Sequence, residues 1–192
     1  MAFVDPVPDE QAHELYEADR ARLGYVANYT RVFGHQPEIY AAWQRLNASI
    51  KDAMDLRRYE LATVAAARRL RSSYCMLAHG SVLADRFYAP EELRGIVADH
   101  HAAGLDDVDV AVMDLAEKVA GDATSITRED VQRLRDLGLA DEEVVAVVAA
   151  AAARCFFSKA LDALGAEPDA EYRSSLDPEL RAALTVGRPI AS

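Results

Sequence analysis

Cys75 and His79 are spaced i, i+4, so on a helix they share one face, a turn apart. An imidazole there can take the thiol proton and stabilise the thiolate, which is the nucleophilic form of cysteine. Ser72 and Ser73 are N-cap residues by type, which puts Cys75 in the first turn of its helix. The free N–H groups and dipole of a helix N-terminus favour negative charge at the same place. Glu60 lies on the preceding helical segment, on the stripe of Leu56, Val64 and Ala67. A carboxylate on an apolar stripe is costly unless it is paired or protonated. If the two helices pack antiparallel across the short connection around Arg71 to Ser73, Glu60 reaches the Cys75–His79 face. It would then orient the imidazole or pass protons to it. Each residue also has a plainer reading: an inert small thiol, a satisfied or exposed helix histidine, and an exposed helix acid.

The elements that must hold these residues read as helices throughout. Residues 91 to 167 contain no proline and are rich in Ala, Leu, Glu and Val. Val108, Val112, Leu115 and Val119 recur at helical spacing, as do Val144, Val145, Val148 and Ala152. Helix starts are marked by Ala89-Pro90-Glu91-Glu92, Thr127-Arg128-Glu129-Asp130 and Asp141-Glu142-Glu143. Glycines at 24, 34, 104, 121, 138 and 165 read as stops, whereas Gly80 reads as mid-helix because the apolar pattern continues through Val82 and Leu83. No segment alternates cleanly and no hairpin turn appears. The expected architecture is an all-α, single-domain helical bundle over 1–192, with a flexible tail over 1–8. Its helices are expected near 9–23, 36–54, 56–71, 73–88, 90–103, 107–121, 127–137, 141–165 and 177–186.

Composition narrows the function. The 192 residues suit one domain, and a 51% apolar fraction supports a sizeable core. The net charge of −11 argues against nucleic acid and anionic lipid as partners. Two cysteines, 80 residues apart, make no disulfide scaffold and suit a reducing compartment. The N-terminus lacks the basic and apolar regions of a signal peptide, and no run reaches the roughly 18 apolar residues of a membrane span. A cytoplasmic protein is the expectation.

The stretch from Tyr59 to Gly80 resembles the carboxymuconolactone decarboxylase and alkyl hydroperoxidase D superfamily. That family's motif is a Glu, a Cys-x-x-Cys twelve residues later, and a His four residues after the second Cys. Glu60, position 72, Cys75 and His79 reproduce those spacings, and the Tyr-Cys-x-x-Ala-His wording matches. Gly24-Tyr-Val-Ala-Asn-Tyr and the ending Leu-Asp-Ala-Leu-Gly-Ala-Glu-Pro-Asp are similar to the peroxidase-related branch, so the resemblance spans most of 20 to 169. It implies an alkyl hydroperoxidase D-like helical fold, a homo-oligomer (trimer or hexamer), and a reactive thiolate at Cys75. One departure matters: position 72 is Ser, so the family's disulfide-forming pair is broken. A peroxide-oxidised Cys75 would stop at the sulfenic acid. Regeneration would need an external thiol reductant, a second subunit or Cys155, which otherwise reads as a buried structural thiol.

Other constellations are weaker. His100 and His101 are adjacent, so on a helix they point to different sides and make a poor metal pair, with His35 and Asp99 as surface residues. Asp106, Asp107 and Asp109 read as a helix start rather than a calcium loop. Arg68, Arg69 and Arg71 read as a solvated helix end or as a hold for an anionic substrate. No phosphate loop is present, and neither a metal nor a cofactor is expected.

Three functions follow. The first is a thiol-dependent, peroxidase-like antioxidant oxidoreductase, with Cys75 as nucleophile, His79 as base, Glu60 as orienter or relay, and Ser72 donating to the thiolate. The second is a cofactor-free decarboxylase or lactone-type acid–base enzyme on a small carboxylated compound, worked by Glu60 and His79. The third is a non-catalytic helical oligomer whose Ala-rich helix over 143–163 packs between subunits.

Overall fold

The computed structural model describes residues 2–192, and among them it has eleven α-helices, one 3-10 turn and no strand. In order these are α1 (Asp9–Leu23), α2 (Asn28–Phe33), α3 (Pro37–Asp52), α4 (Leu56–Leu70), α5 (Ser73–Arg86) and α6 (Pro90–Ala98). Then come α7 (Asp107–Asp122), the 3-10 turn (Ala123–Ser125), α8 (Arg128–Asp136), α9 (Asp141–Ala163), α10 (Tyr172–Ser175) and α11 (Pro178–Leu184). One main core joins α2 through α9 to α11, and a small satellite of Val7, Ala12, Tyr16 and Val26 lies beneath α1.

α4 is the central helix. Every residue from Tyr59 to Ala67 is buried, because α5, α7 and α9 all pack against it. The small side chains of Ala62, Ala65, Ala66 and Ala67 let those neighbours approach closely. Its start is capped by Asp55, whose carboxylate accepts from the Arg58 N–H at 3.1 Å. It ends at Arg71, which takes φ +58°, while the Ser72 N–H donates back to the Ala67 carbonyl at 3.0 Å. A non-glycine residue in that left-handed region costs on the order of 1 kcal/mol. The return is a tight turn that folds α5 back onto α4. Gly80 lies inside α5 as expected, where a Cβ would sit 2.7 Å from the Leu184 side chain of α11 and displace it.

A buried ion pair locks α4 to α7. Asp109 is fully buried and receives Arg57 Nη1 at 2.5 Å and Arg58 Nε at 3.2 Å. The aspartate triplet is thus a helix start, as expected, but Asp109 faces inward as a clamp. Arg68 is not a solvated end either. It donates to Glu117 at 2.5 Å and to the Val97 carbonyl at 2.7 Å, closing the C-terminus of α6.

Several boundaries differ from the sequence expectation. Residue 1 lies outside the described residues, and residues 2–8 do not form a free tail. The Phe3 N–H donates to the Leu164 carbonyl at 2.7 Å, and Val7 is buried with its carbonyl accepting from Tyr16 Oη at 2.6 Å. The sixth helix stops at Ala98 instead of 103, because Asp99 turns extended at ψ 98°. The short helices α2 and α10 are too brief for periodicity to show.

α9 is long and apolar enough by length and composition to cross a membrane, although 56% of its most apolar window is buried inside the chain. That burial is against α4 and α7, so the helix serves this chain's own core rather than only contacts between subunits. Val145, Val148 and Phe156 stay exposed on its outer side, and Ile39 and Leu46 are exposed on α3, which packs on it.

Replacing Asp109 by Asn should lower unfolding free energy by about 2 kcal/mol in urea titration. The figure is discounted from the several kcal/mol of a broken buried pair because both arginines keep partial access to water.

Candidate active site

The α4–α5 hairpin brings Glu60 and His79 into contact. Glu60 Oε2 and His79 Nδ1 are 2.5 Å apart, with Glu60 buried and the imidazole 14% exposed. Lys51 of α3 stands 4.0 Å from Glu60 Oε1, and the Tyr59 ring meets the imidazole edge-on. The buried acid of the α4 stripe is therefore paired, as the antiparallel packing requires. Burial pushes the His79 imidazole below its ordinary value, the nearby Arg154 charge adds to this, and Glu60 pulls the other way without cancelling it. His79 is thus neutral at physiological pH, donating from Nδ1–H to Glu60 with Nε2 free to accept a proton.

Cys75 is the third residue of α5 and is buried. Its sulfur is contacted from α9. Ser158 Oγ donates to Sγ at 3.1 Å, and Arg154 Nη1 lies 3.7 Å from it. Arg154 and Ser158 are spaced i, i+4, so both project from one face of α9. Neither was singled out in the sequence. The signal available was an arginine inside an otherwise apolar helical run, Val144 to Phe157. Cys155 lies about 100° round α9 from Arg154 and is half-buried rather than buried.

Ser72 stands apart from the sulfur. Its buried hydroxyl turns to the Asp162 carboxylate of α9, so the hydroxyl on Cys75 is that of Ser158 instead. Next to it, Ser73 Oγ accepts from the Gly187 N–H at 2.7 Å, which ties the C-terminal segment over the α4–α5 turn.

Cys75 and His79 line a cleft of about 460 Å³ with Arg154, Lys51 and the rings of Trp43 and Phe157. Trp43 and Phe157 stack at 4.9 Å, and the Arg154 guanidinium lies over both. That volume and its largely aromatic wall suit a small organic molecule. None of Arg68, Arg69 and Arg71 lines it.

His100 and His101 correct the expectation drawn from their adjacency. They lie in the turn beyond α6, not on it, and both Nε2 atoms meet Asp114 Oδ1 at 2.9 Å. These three donor atoms lie within 4.8 Å of one another, close enough to share one cation. Arg133 occupies the second oxygen of Asp114 at 3.2 Å. His35 is elsewhere, bonded to the Asp5 carbonyl at 2.8 Å.

Solved structures share the fold that carries this site. A structure described as the alkylhydroperoxidase AhpD core, an uncharacterized peroxidase-related protein from Ralstonia eutropha JMP134, is 20% identical with TM-score 0.74, over 95% of this chain and 93% of that one. The chain has the AhpD fold. An uncharacterized peroxidase-related protein from Silicibacter sp. TM1040 is 22% identical with TM-score 0.76, over 90% of this chain and 91% of that one. A cysteine-to-alanine variant of the debrominase Bmp8, in complex with 2,3,4-tribromopyrrole, is 14% identical with TM-score 0.75, over 92% and 96%. No family model and no curated protein matches the chain. The AhpD-like fold agrees with the resemblance carried by Glu60, Cys75 and His79.

In an NMR pH titration, the His79 ring signals should move with a midpoint below the ordinary value of about 6.5. Replacing Glu60 by Gln should move that midpoint lower still, because it removes the one charge that favours the imidazolium.

Proposed function

We propose that the chain is a thiol-dependent, peroxidase-like oxidoreductase acting on hydroperoxides. The observation that carries this reading is the Cys75 sulfur, which lines an aromatic cleft beside the Glu60–His79 pair. Cys75, as thiolate, attacks the terminal oxygen of the hydroperoxide. An S–O bond forms, the O–O bond breaks, and an alkoxide leaves. Neutral His79 carries the proton: it accepts at Nε2 the one given up by the thiol and hands it to the alkoxide. Glu60 stabilises the imidazolium while it exists. The products are an alcohol and the Cys75 sulfenic acid.

Ser at position 72 rules out an intramolecular disulfide there, so the cycle closes with an external thiol. One thiol condenses with the sulfenic acid and releases water, and a second reduces the mixed disulfide. A homo-oligomer, trimer or hexamer, is part of the proposal, supported by the exposed apolar side chains of α3 and α9.

The aromatic wall also favours a second substrate class for the same nucleophile, a halogenated aromatic ring, as bound by the debrominase with this fold. There the C–halogen bond would break, the sulfur would take the halogen, and the ring carbon would take a proton. Two external thiols would then regenerate the sulfur and release halide.

Replacing Cys75 by Ser should abolish thiol-dependent peroxide consumption, and Cys155→Ser should leave it within about twofold. A dimedone adduct on Cys75 after one equivalent of cumene hydroperoxide would mark the sulfenic acid. Turnover that survives Cys75→Ala but not His79→Ala would replace this reading with acid–base chemistry on a small carboxylated compound.

A further inference from the structure

Arg154 is a guanidinium enclosed by α3, α4, α5 and α9, and among the described residues no carboxylate is within ion-pair distance of it. A charge in that position is costly unless something compensates it. Its polar contacts are Asn47 Oδ1 at 3.3 Å, Tyr59 Oη at 3.4 Å and Cys75 Sγ at 3.7 Å. Asn47 cannot ionise. Tyr59 stays protonated, because burial pushes its phenol up. Glu60 feels the field of Arg154, but its two oxygens face His79 and Lys51. Cys75 is the contact left that can carry the matching negative charge.

We infer that Arg154 is the fixed counter-ion of the Cys75 thiolate, with Ser158 orienting the sulfur, so that the anion is held from α9 and His79 serves proton transfer only. His79 is badly placed for the counter-ion role. Its Nδ1 is committed to Glu60, whose carboxylate offsets the positive charge the ring takes on with a proton. Arg154 instead keeps its charge: burial opposes it, but a guanidinium does not deprotonate in a protein, and the Glu60 carboxylate lies nearby. The Ser158 hydroxyl donates to the same sulfur, and the start of α5 lies beside it. The other titratable groups about the sulfur do not compete. Tyr29, Tyr74 and Tyr172 are each pushed up by burial and stay neutral. At the cleft rim, Arg22 is paired with Asp19.

Arg154 is thus a positioning and electrostatic residue that motif spacing does not reveal. The inference deepens the thiol reading of the site and rests on it, but the ion pair can be read without any peroxide. The test is the rate of iodoacetamide alkylation of Cys75 against pH, in a Cys155→Ser background. Arg154→Met keeps the volume with an apolar side chain. It should move the acid limb of the profile up by about one pH unit or more, which is about tenfold slower alkylation on that limb. Arg154→Lys should recover part of the shift. Ser158→Ala should move the limb in the same direction by less. His79→Ala should leave it in place. An unmoved limb in Arg154→Met, or one moved as far by His79→Ala, would overturn the inference. If Arg154→Met does not fold, Arg154→Gln and Ser158→Ala decide it: an undisplaced limb in both overturns the assignment. A displaced limb together with no peroxide consumption would sink the peroxidase reading and leave the ion pair standing.

Discussion

The site depends on keeping two opposite charges out of water on neighbouring helices. Glu60 on α4 and Arg154 on α9 are both buried, yet they do not pair with each other. Each is matched instead to a residue of α5, Glu60 to His79 and Arg154 to Cys75. A buried charge with its partner removed costs several kcal/mol, so the three helices cannot slide or rotate freely against one another. The i, i+4 spacing within α5 then sets how far apart the thiol and the imidazole can be.

The rest of the fold keeps this junction rigid. α4 has small residues where its neighbours come closest, and α7 is held to it by Asp109 between Arg57 and Arg58. The left-handed turn at Arg71 is strained backbone, retained because it reverses the chain within two residues and lays α5 on α4. The C-terminal segment closes over that turn through Gly187 and Ser73. Ser72 is buried beneath that turn, with its hydroxyl towards Asp162 of α9.

The missing second cysteine has a physical consequence. With Ser at position 72, the Cys75 sulfur meets charge and hydrogen bonds rather than a second thiol from that position. Ser158 and Arg154 supply those from α9, a helix remote in sequence from the motif. Solved structures with this fold include both peroxidase-related proteins and a debrominase, so the backbone by itself does not choose the reaction.

From the residues alone, helical class, the placement of Gly80 and the Glu60–Cys75–His79 grouping were all legible. Each rests on local spacing: period 3.6 marks the faces, caps mark the ends, and a short connection forces two successive helices together. Helices of four to six residues, α2 and α10, leave too few turns for a period. The inward role of Asp109, the convergence of His100 and His101 on Asp114, and the anchoring of residues 2–8 all depend on contacts far along the chain. So does Arg154, which is 79 residues from Cys75. Sequence pattern says that an arginine within an apolar helix must find a partner, because an unpaired buried charge is costly. Only the packing of α9 across α4 and α5 decides that the partner is the sulfur of Cys75.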